Sequence, residues 1–237
     1  MKRTVKITEN SFFKIFSDAI ILYELSAVEQ KEHIKTTLAK SSILSINYAL
    51  EAAANSFLSS VELTPQLKDK IDRFSTLDKF DFTLTWHKGS SLPRGAIQTQ
   101  IIKELIDQRH ALVHPKIKST TENIETKSSE GKYAYLHQFA NNPQPPKSKL
   151  SSISLDPKEY TDIDALIALK ALVSFLNSYV NDWWGIDLKT SAILLMPSWN
   201  GSIQASSVMY ERSSLETVLR YNYELEIKFL ELYEILE

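Results

Sequence analysis

Apolar residues recur at helical spacing along most of this 237-residue chain, and this periodicity constrains the fold more than any other feature. The clearest stretch lies between 97 and 113, where the apolar positions fit a period of 3.6 residues. These positions are Ile97, Ile101, Ile102, Leu105, Ile106, Leu112 and Val113. The chain contains only five glycines and few segments that alternate apolar and polar residues, which argues against a large sheet. We therefore expect an all-α helical bundle.

The same periodicity predicts helices on either side of this stretch. Their expected bounds are Phe12 to Leu25, Val28 to Ser59, Pro65 to Phe74 behind a Thr64 N-cap, Asp162 to Tyr179, and Ser214 to Leu236. The segment Phe80 to Leu84 alternates, and it predicts either a short strand or an irregular helical turn. The helix from Asp162 is apolar on most faces, so we expect it at the centre of one domain covering residues 1–237.

Composition excludes several classes of function. The net charge of −2 argues against a broad electrostatic surface for nucleic acid, although it leaves room for a local basic site. The absence of cysteine excludes disulfides, a thiol nucleophile and a Cys-ligated zinc site. The apolar run 19–23 is interrupted by Glu24 and is too short for a signal core or a membrane span. We expect a soluble cytoplasmic protein that does not engage a membrane.

Arg109 stands out because it falls on the apolar face of the 97–113 helix. At about 100° per residue it lies within roughly 40° of Ile102, Leu105 and Val113. An unpaired buried guanidinium costs several kcal/mol, so Arg109 needs an anionic partner, a polar cleft or a subunit interface. A purely structural explanation is a buried ion pair with Glu51 or Asp107.

The residues that end this helix carry a resemblance to a known family. Arg109 is followed by a polar residue, a short apolar run and His114, and Pro115 disfavours continuing the helix. This R-x4-H arrangement on a helix of an all-helical bundle resembles the HEPN superfamily. The segments 104–108 and 48–55 support the resemblance, which covers about residues 28–180 in architecture. His110 stands where the family frequently has asparagine or aspartate, and it keeps a polar group there.

The resemblance implies a homodimer in which two motifs face each other across a cleft. It also implies a metal-independent endoribonuclease that acts on RNA without a cofactor, in a toxin–antitoxin or phage-defence setting with an antitoxin or regulatory partner. Arg109, His114 and His110 would be its catalytic residues. Glu51 and Asn55, one turn apart on the long helix, are candidate supporting residues that could face the motif. Alternatively, one of them simply satisfies local hydrogen bonds.

The chemistry suits these residue types. Histidine titrates near neutral pH, so His114 can act as general acid or base in RNA cleavage by the 2′-hydroxyl. Its place at a helix C-terminus favours the protonated imidazole. Arg109 keeps its proton and offers a bidentate fork for phosphate oxygens. Structural alternatives remain open, since His114 can simply cap its helix and His110 can lie on the surface.

Two other functional classes compete with the ribonuclease. His110 and His114 are four residues apart, a spacing that can bind zinc or nickel, and His87 or His137 would have to complete such a site. Ala111 stands where the usual metalloprotease motif needs glutamate, so we expect no metal. The stronger rival is a catalytically inactive dimer of the same fold that binds a protein or nucleic-acid partner.

Residues 115–160 interrupt the helical pattern and predict a long, mildly basic insertion after the motif helix. The segment carries seven lysines against four glutamates and one aspartate, and it has a proline-rich turn at 143–146, with a hairpin expected around Tyr133 and Tyr135. Such composition is typical of a solvated surface loop. The position directly after His114 also allows a flap over the site.

Overall fold

A computed structural model describes residues 5–114, 117, 119, 124–128, 135–139, 146–200 and 206–232. The chain is mostly helical, which confirms the all-α prediction. The helices are α1 (Phe12–Val28), α2 (Glu32–Leu58), α3 (Pro65–Ile71), α4 (Thr76–Lys88), α5 (Ile97–Val113), α6 (Asp162–Asn177), α7 (Leu188–Leu195), α8 (Arg212–Arg220) and α9 (Asn222–Leu225). Helix α6 continues as a π-helix over Ser178–Trp184, and a 3₁₀ turn covers Pro157–Glu159.

Local side-chain hydrogen bonds fix where several helices begin. Thr161 and Asp164 form a reciprocal capping box at the start of α6. The Ser75 hydroxyl accepts a hydrogen bond from the Asp78 backbone N–H at the start of α4, which ends at Gly89 in the left-handed conformation. These caps satisfy backbone groups that would otherwise have no partner within the helix.

Helix α2 runs through the middle of the bundle and contacts α1, α4, α5, α6 and α7. Helix α6 packs against α2, as expected from its apolar faces. Aromatic rings fill the core between α2, α4 and the end of α6, with Phe57 stacked on Tyr179 and Phe80 packed edge-on against it. The Tyr179 hydroxyl donates to the Phe80 carbonyl at 2.9 Å, so this buried ring keeps a hydrogen-bond partner.

The described parts of the chain also contain five short strands, which form two small sheets. Strands β1 (Lys6–Thr8), β4 (Ser198–Asn200) and β5 (Ser206–Val208) form an antiparallel sheet in the order β1-β4-β5. Strands β2 (Ile124–Ser128) and β3 (Tyr135–Phe139) form an antiparallel pair, which confirms the hairpin in the insertion. Tyr133, Pro115 and the turn residues 143–145 lie outside the described residues.

The described residues between α5 and α6 contain no α-helix, as the interrupted pattern at 115–160 predicted. The described residues 146–160 pack against the bundle, where Ile153 and Tyr160 are fully buried. Ser154 donates its backbone N–H to Asp164 at the start of α6, which fixes this segment to the core. The interpretation of 115–160 as a solvated surface loop is therefore wrong for these last residues. Isolated apolar residues among serines and lysines give no periodic signal for such packing.

Two predicted elements are also corrected. Phe80 to Leu84 lies inside α4, so the strand alternative is wrong, and Phe80, Thr83 and Leu84 are buried at helical spacing. The final helix does not reach Leu236, which lies outside the described residues, because α9 ends before Glu226 in the left-handed conformation. The Asn177 side chain bonds the backbone of Glu226 and Lys228 at 2.8 Å, and these tertiary contacts replace helical hydrogen bonds.

One described helix, Asp162–Trp184, is long and apolar enough to cross a membrane by length and composition. In the structure, 61% of its most apolar window is buried inside the protein. This burial is typical of a helix in the core of a bundle.

Candidate functional site

The predicted motif lies at the C-terminal end of α5. The helix begins after Ala96 and ends at Val113, so its expected bounds are confirmed. His114 leaves the helical conformation with φ −122° and ψ 65°, and its backbone N–H donates to the His110 carbonyl at 2.9 Å. The last turn therefore presents Arg109, His110 and His114 at the surface end of the helix.

The buried face of α5 contains the side-chain amide of Gln108, whereas the sequence predicted only apolar residues and Arg109 on this face. Its buried residues are Thr99, Ile102, Leu105 and Gln108. The Gln108 amide donates to Glu104 at 3.1 Å and accepts a hydrogen bond from the Tyr160 hydroxyl at 3.2 Å. Gln108, and not its neighbour Arg109, is thus the buried polar residue of the last two turns.

Glu104 extends this network to the chain after the insertion. Its carboxylate accepts hydrogen bonds from the hydroxyls of Ser148 at 2.7 Å and Ser151 at 3.0 Å. Burial raises the pKa of the Tyr160 hydroxyl, and the Asp164 carboxylate adds to the rise, so this hydroxyl stays protonated as a donor. The network attaches α5 to residues 148–160 and has a structural role. Sequence reasoning missed it, and the only available signal was the i, i+4 spacing of Glu104 and Gln108.

Arg109 lies half-buried at the edge of the bundle. Its guanidinium carbon is 5.9 Å from the ring centroid of Tyr48 on α2, which is cation–π distance. Among the described residues no carboxylate lies within 4 Å of the guanidinium, so the ion pair with Glu51 or Asp107 does not form. Tyr48 is 45% exposed and Val113 is 44% exposed. We call Tyr48, Arg109 and Val113 the Arg109 surface.

The two histidines do not join Arg109 on this surface. Both are exposed, and His110 is displaced from Arg109 by about 100° around the helix axis. His114 follows at the C-cap, one turn after His110. Within one chain the three predicted catalytic residues therefore share a helix end without converging on a common pocket.

Glu51 and Asn55 are the two candidate supporting residues on α2. They line a cleft of about 1020 Å³ between α2, α3 and α4, which we call the Lys79 cleft. Neither Arg109 nor either histidine lines this cleft. The side-chain amide oxygen (Oδ1) of Asn55 accepts a hydrogen bond from the Lys79 ammonium at 2.8 Å. Asn55 thus bonds Lys79, and Glu51 lines the same cleft.

The histidine proposed to complete a metal site is engaged elsewhere. The His87 ring stacks on Trp184 with 5.0 Å between centroids, and its Nε2 lies 2.9 Å from the Ser60 hydroxyl. Desolvation lowers the pKa of His87. Within the described part of the chain, no three His, Asp or Glu side chains are grouped as metal ligands. The side chain of His137 lies outside the described residues.

Comparisons with protein-family models, curated proteins and solved structures found no match to this chain.

Proposed function

We propose that this protein is a metal-independent endoribonuclease of the HEPN type that acts as a homodimer in the cytoplasm. The observation that carries the proposal is the state of Arg109. A half-buried guanidinium beside an aromatic ring, with no described carboxylate within 4 Å, is available for a phosphate. The toxin–antitoxin or phage-defence setting, with an antitoxin or regulatory partner, belongs to the same proposal.

In the proposed reaction, the 2′-hydroxyl of the RNA attacks the adjacent phosphorus while a histidine accepts its proton. A second protonated group gives a proton to the departing 5′-oxygen, so the products are a 2′,3′-cyclic phosphate and a 5′-hydroxyl. His114 and His110 are the two proton-transfer groups. Arg109 stabilises the negative charge that grows on the phosphate oxygens in the transition state.

Dimerisation explains how separated residues would act together. The Arg109 surface combines a cation with two exposed apolar side chains, Tyr48 and Val113, which favours contact with another protein surface. A two-fold axis beside this surface would bring His114 of the partner subunit towards Arg109. Two copies would also double the positive charge at one cleft, which compensates for the net negative chain.

The second candidate is a catalytically inactive HEPN-like dimer that binds a protein or nucleic-acid partner. The separation of His110 from Arg109 around α5 favours it, because within one chain the acid–base groups and the phosphate-binding group do not meet. In this alternative, Arg109 and Tyr48 serve the interface alone.

A cleavage assay with excess chelator separates these candidates. The ribonuclease proposal expects cleavage of end-labelled RNA that persists in chelator and leaves 2′,3′-cyclic phosphate ends. Loss of cleavage on chelation, restored by zinc or manganese, would move the assignment to a metal site at His110 and His114. A dimer that binds RNA or a protein without cleaving RNA would support the inactive alternative.

A further inference from the structure

Lys79 is a buried cation on the cleft side of α4. The residue is only 5% exposed, although lysine is almost never fully buried without a partner. Its ammonium donates to the Asn55 side-chain oxygen at 2.8 Å. Among the described residues no carboxylate lies within 4 Å of the Lys79 nitrogen. A neutral amide is thus its hydrogen-bonded partner.

This arrangement leaves donor groups that point to an anion. A lysine ammonium has three N–H donors, and Asn55 satisfies one of them. Because lysine can only donate, the side-chain oxygen of Asn55 must face Lys79. The side-chain NH₂ group of Asn55 is then available as a donor. Taking a charge out of water is costly unless an opposite charge compensates it. Lys79 and Asn55 therefore form a donor pair suited to a carboxylate.

The remaining walls of the cleft carry the opposite charge and an apolar surface. Three carboxylates line it, those of Glu51, Glu62 and Asp72, against the ammonium groups of Lys68 and Lys79. The apolar wall consists of Leu58, Val61 and Leu63. A polyanion would be repelled by three carboxylates, whereas a ligand with its own cationic group would be attracted. The cleft volume of about 1020 Å³ is ample for a small molecule.

We propose that the Lys79 cleft binds an apolar amino acid as a free zwitterion. The ligand carboxylate bonds Lys79 and Asn55, its ammonium group faces the acidic wall, and its side chain lies on the leucine and valine residues. The Arg109 surface takes no part in this site, so the inference stands independently of the ribonuclease proposal.

Calorimetric titration of the full-length protein with leucine, phenylalanine and methionine tests the proposal. At least one of them should bind, while 4-methylpentanoate and 3-methylbutylamine, which each lack one charged group of leucine, should bind roughly tenfold more weakly than leucine. Inorganic phosphate should not compete. Binding of phosphate alone, or of none of the amino acids, would overturn the proposal.

Matched variants locate the binding in the cleft. Lys79→Met should weaken amino-acid binding roughly tenfold or more, and Lys70→Met, an exposed lysine on α3 that does not line the cleft, should leave it unchanged. Glu62→Gln changes an exposed wall residue and should also weaken binding, which keeps the test decisive if Lys79→Met fails to fold. Unchanged affinity in the folded Lys79 variant, or in the Glu62 variant, would overturn the assignment.

Discussion

Arg109 and Lys79 are two cations that contact the same helix, α2, in opposite surroundings. Arg109 lies half-exposed over Tyr48, and Lys79 is buried against Asn55, about 10 Å further along α2 by helical rise. In the described part of the chain neither has a carboxylate within 4 Å. The half-exposed Arg109 keeps part of its hydration, so it can bind a phosphate with little further desolvation. The buried Lys79 has lost its hydration and needs a polar or anionic group to compensate its charge.

Because their surroundings differ, we expect mutation of Arg109 and mutation around Lys79 to affect different properties of the protein. Removing Arg109 should change activity with little effect on folding. Changes around Lys79 and in the buried network beside Arg109 should instead alter stability and leave RNA cleavage intact. Each experiment below therefore measures both cleavage rate and stability.

The largest effect is expected for Arg109→Ala. If the guanidinium stabilises the phosphate in the transition state, its loss should lower the RNA cleavage rate roughly 100- to 1000-fold. Stability should fall by no more than about 1 kcal/mol, because only the contact with Tyr48 is lost. His114→Ala should likewise abolish cleavage with a nearly unchanged melting temperature. Cleavage kinetics and denaturant unfolding measure the two quantities.

Lys103→Ala is the matched control, since it removes an exposed cation from the same helix two turns earlier. It should cleave RNA almost as fast as the wild type. If Arg109→Ala instead lowers stability by several kcal/mol, the arginine is a structural residue and the catalytic assignment fails.

Gln108→Ala should produce the next largest effect, on stability rather than on chemistry. The substitution removes hydrogen bonds to Glu104 and the Tyr160 hydroxyl, and it leaves buried polar groups with fewer partners. We expect a loss of about 2–3 kcal/mol in urea unfolding, with cleavage per folded molecule unchanged. If the Gln108 variant is stable but does not cleave RNA, Gln108 rather than Arg109 would be the residue needed for cleavage.

The contrast between Gln108 and Arg109 shows how far sequence alone could lead. Helical periodicity gave the bounds of α5, because the burial of a helix face depends on local spacing. The same periodicity placed Arg109 nearer the centre of the buried face than the structure does. In the structure, residues 148–160 bond Glu104 and Gln108, so the buried face of α5 passes through Gln108. That segment is distant in sequence, and its contacts leave no periodic signal. For the same reason the Lys79 cleft was missed, although Asn55 had been singled out.

Asn55→Ala should have a smaller effect, confined to the Lys79 cleft. It leaves the buried ammonium without its amide partner and should cost about 1–2 kcal/mol of stability, measured by urea unfolding. RNA cleavage should not change, because Asn55 lies away from the Arg109 surface. In an Asn55→Ala, Lys79→Met double variant the loss should largely disappear. A cleavage defect in Asn55→Ala would support the sequence-based expectation that Asn55 assists the motif.

The smallest effect is expected for Tyr48→Leu. It removes the ring beneath Arg109 while keeping an apolar side chain, and it should cost about 0.5–1 kcal/mol by thermal or urea unfolding. Tyr23→Leu, at another partly exposed tyrosine on α1, controls for the loss of a ring away from the motif. Weakened self-association in Tyr48→Leu alone, by sedimentation, would agree with the Arg109 surface as an interface. An unchanged dimer would place the interface elsewhere.

The proposed site pairs Arg109 of one subunit with His114 of the partner subunit, and mixed dimers test this pairing most directly. Arg109→Ala and His114→Ala proteins, each inactive alone, are unfolded and refolded together, and the heterodimer is purified through two different tags. One of the two Arg109–His114 pairs across its cleft is then intact, so we predict RNA cleavage at about half the wild-type rate. A purified heterodimer that cleaves no RNA, or a wild-type monomer with full activity, would contradict this pairing.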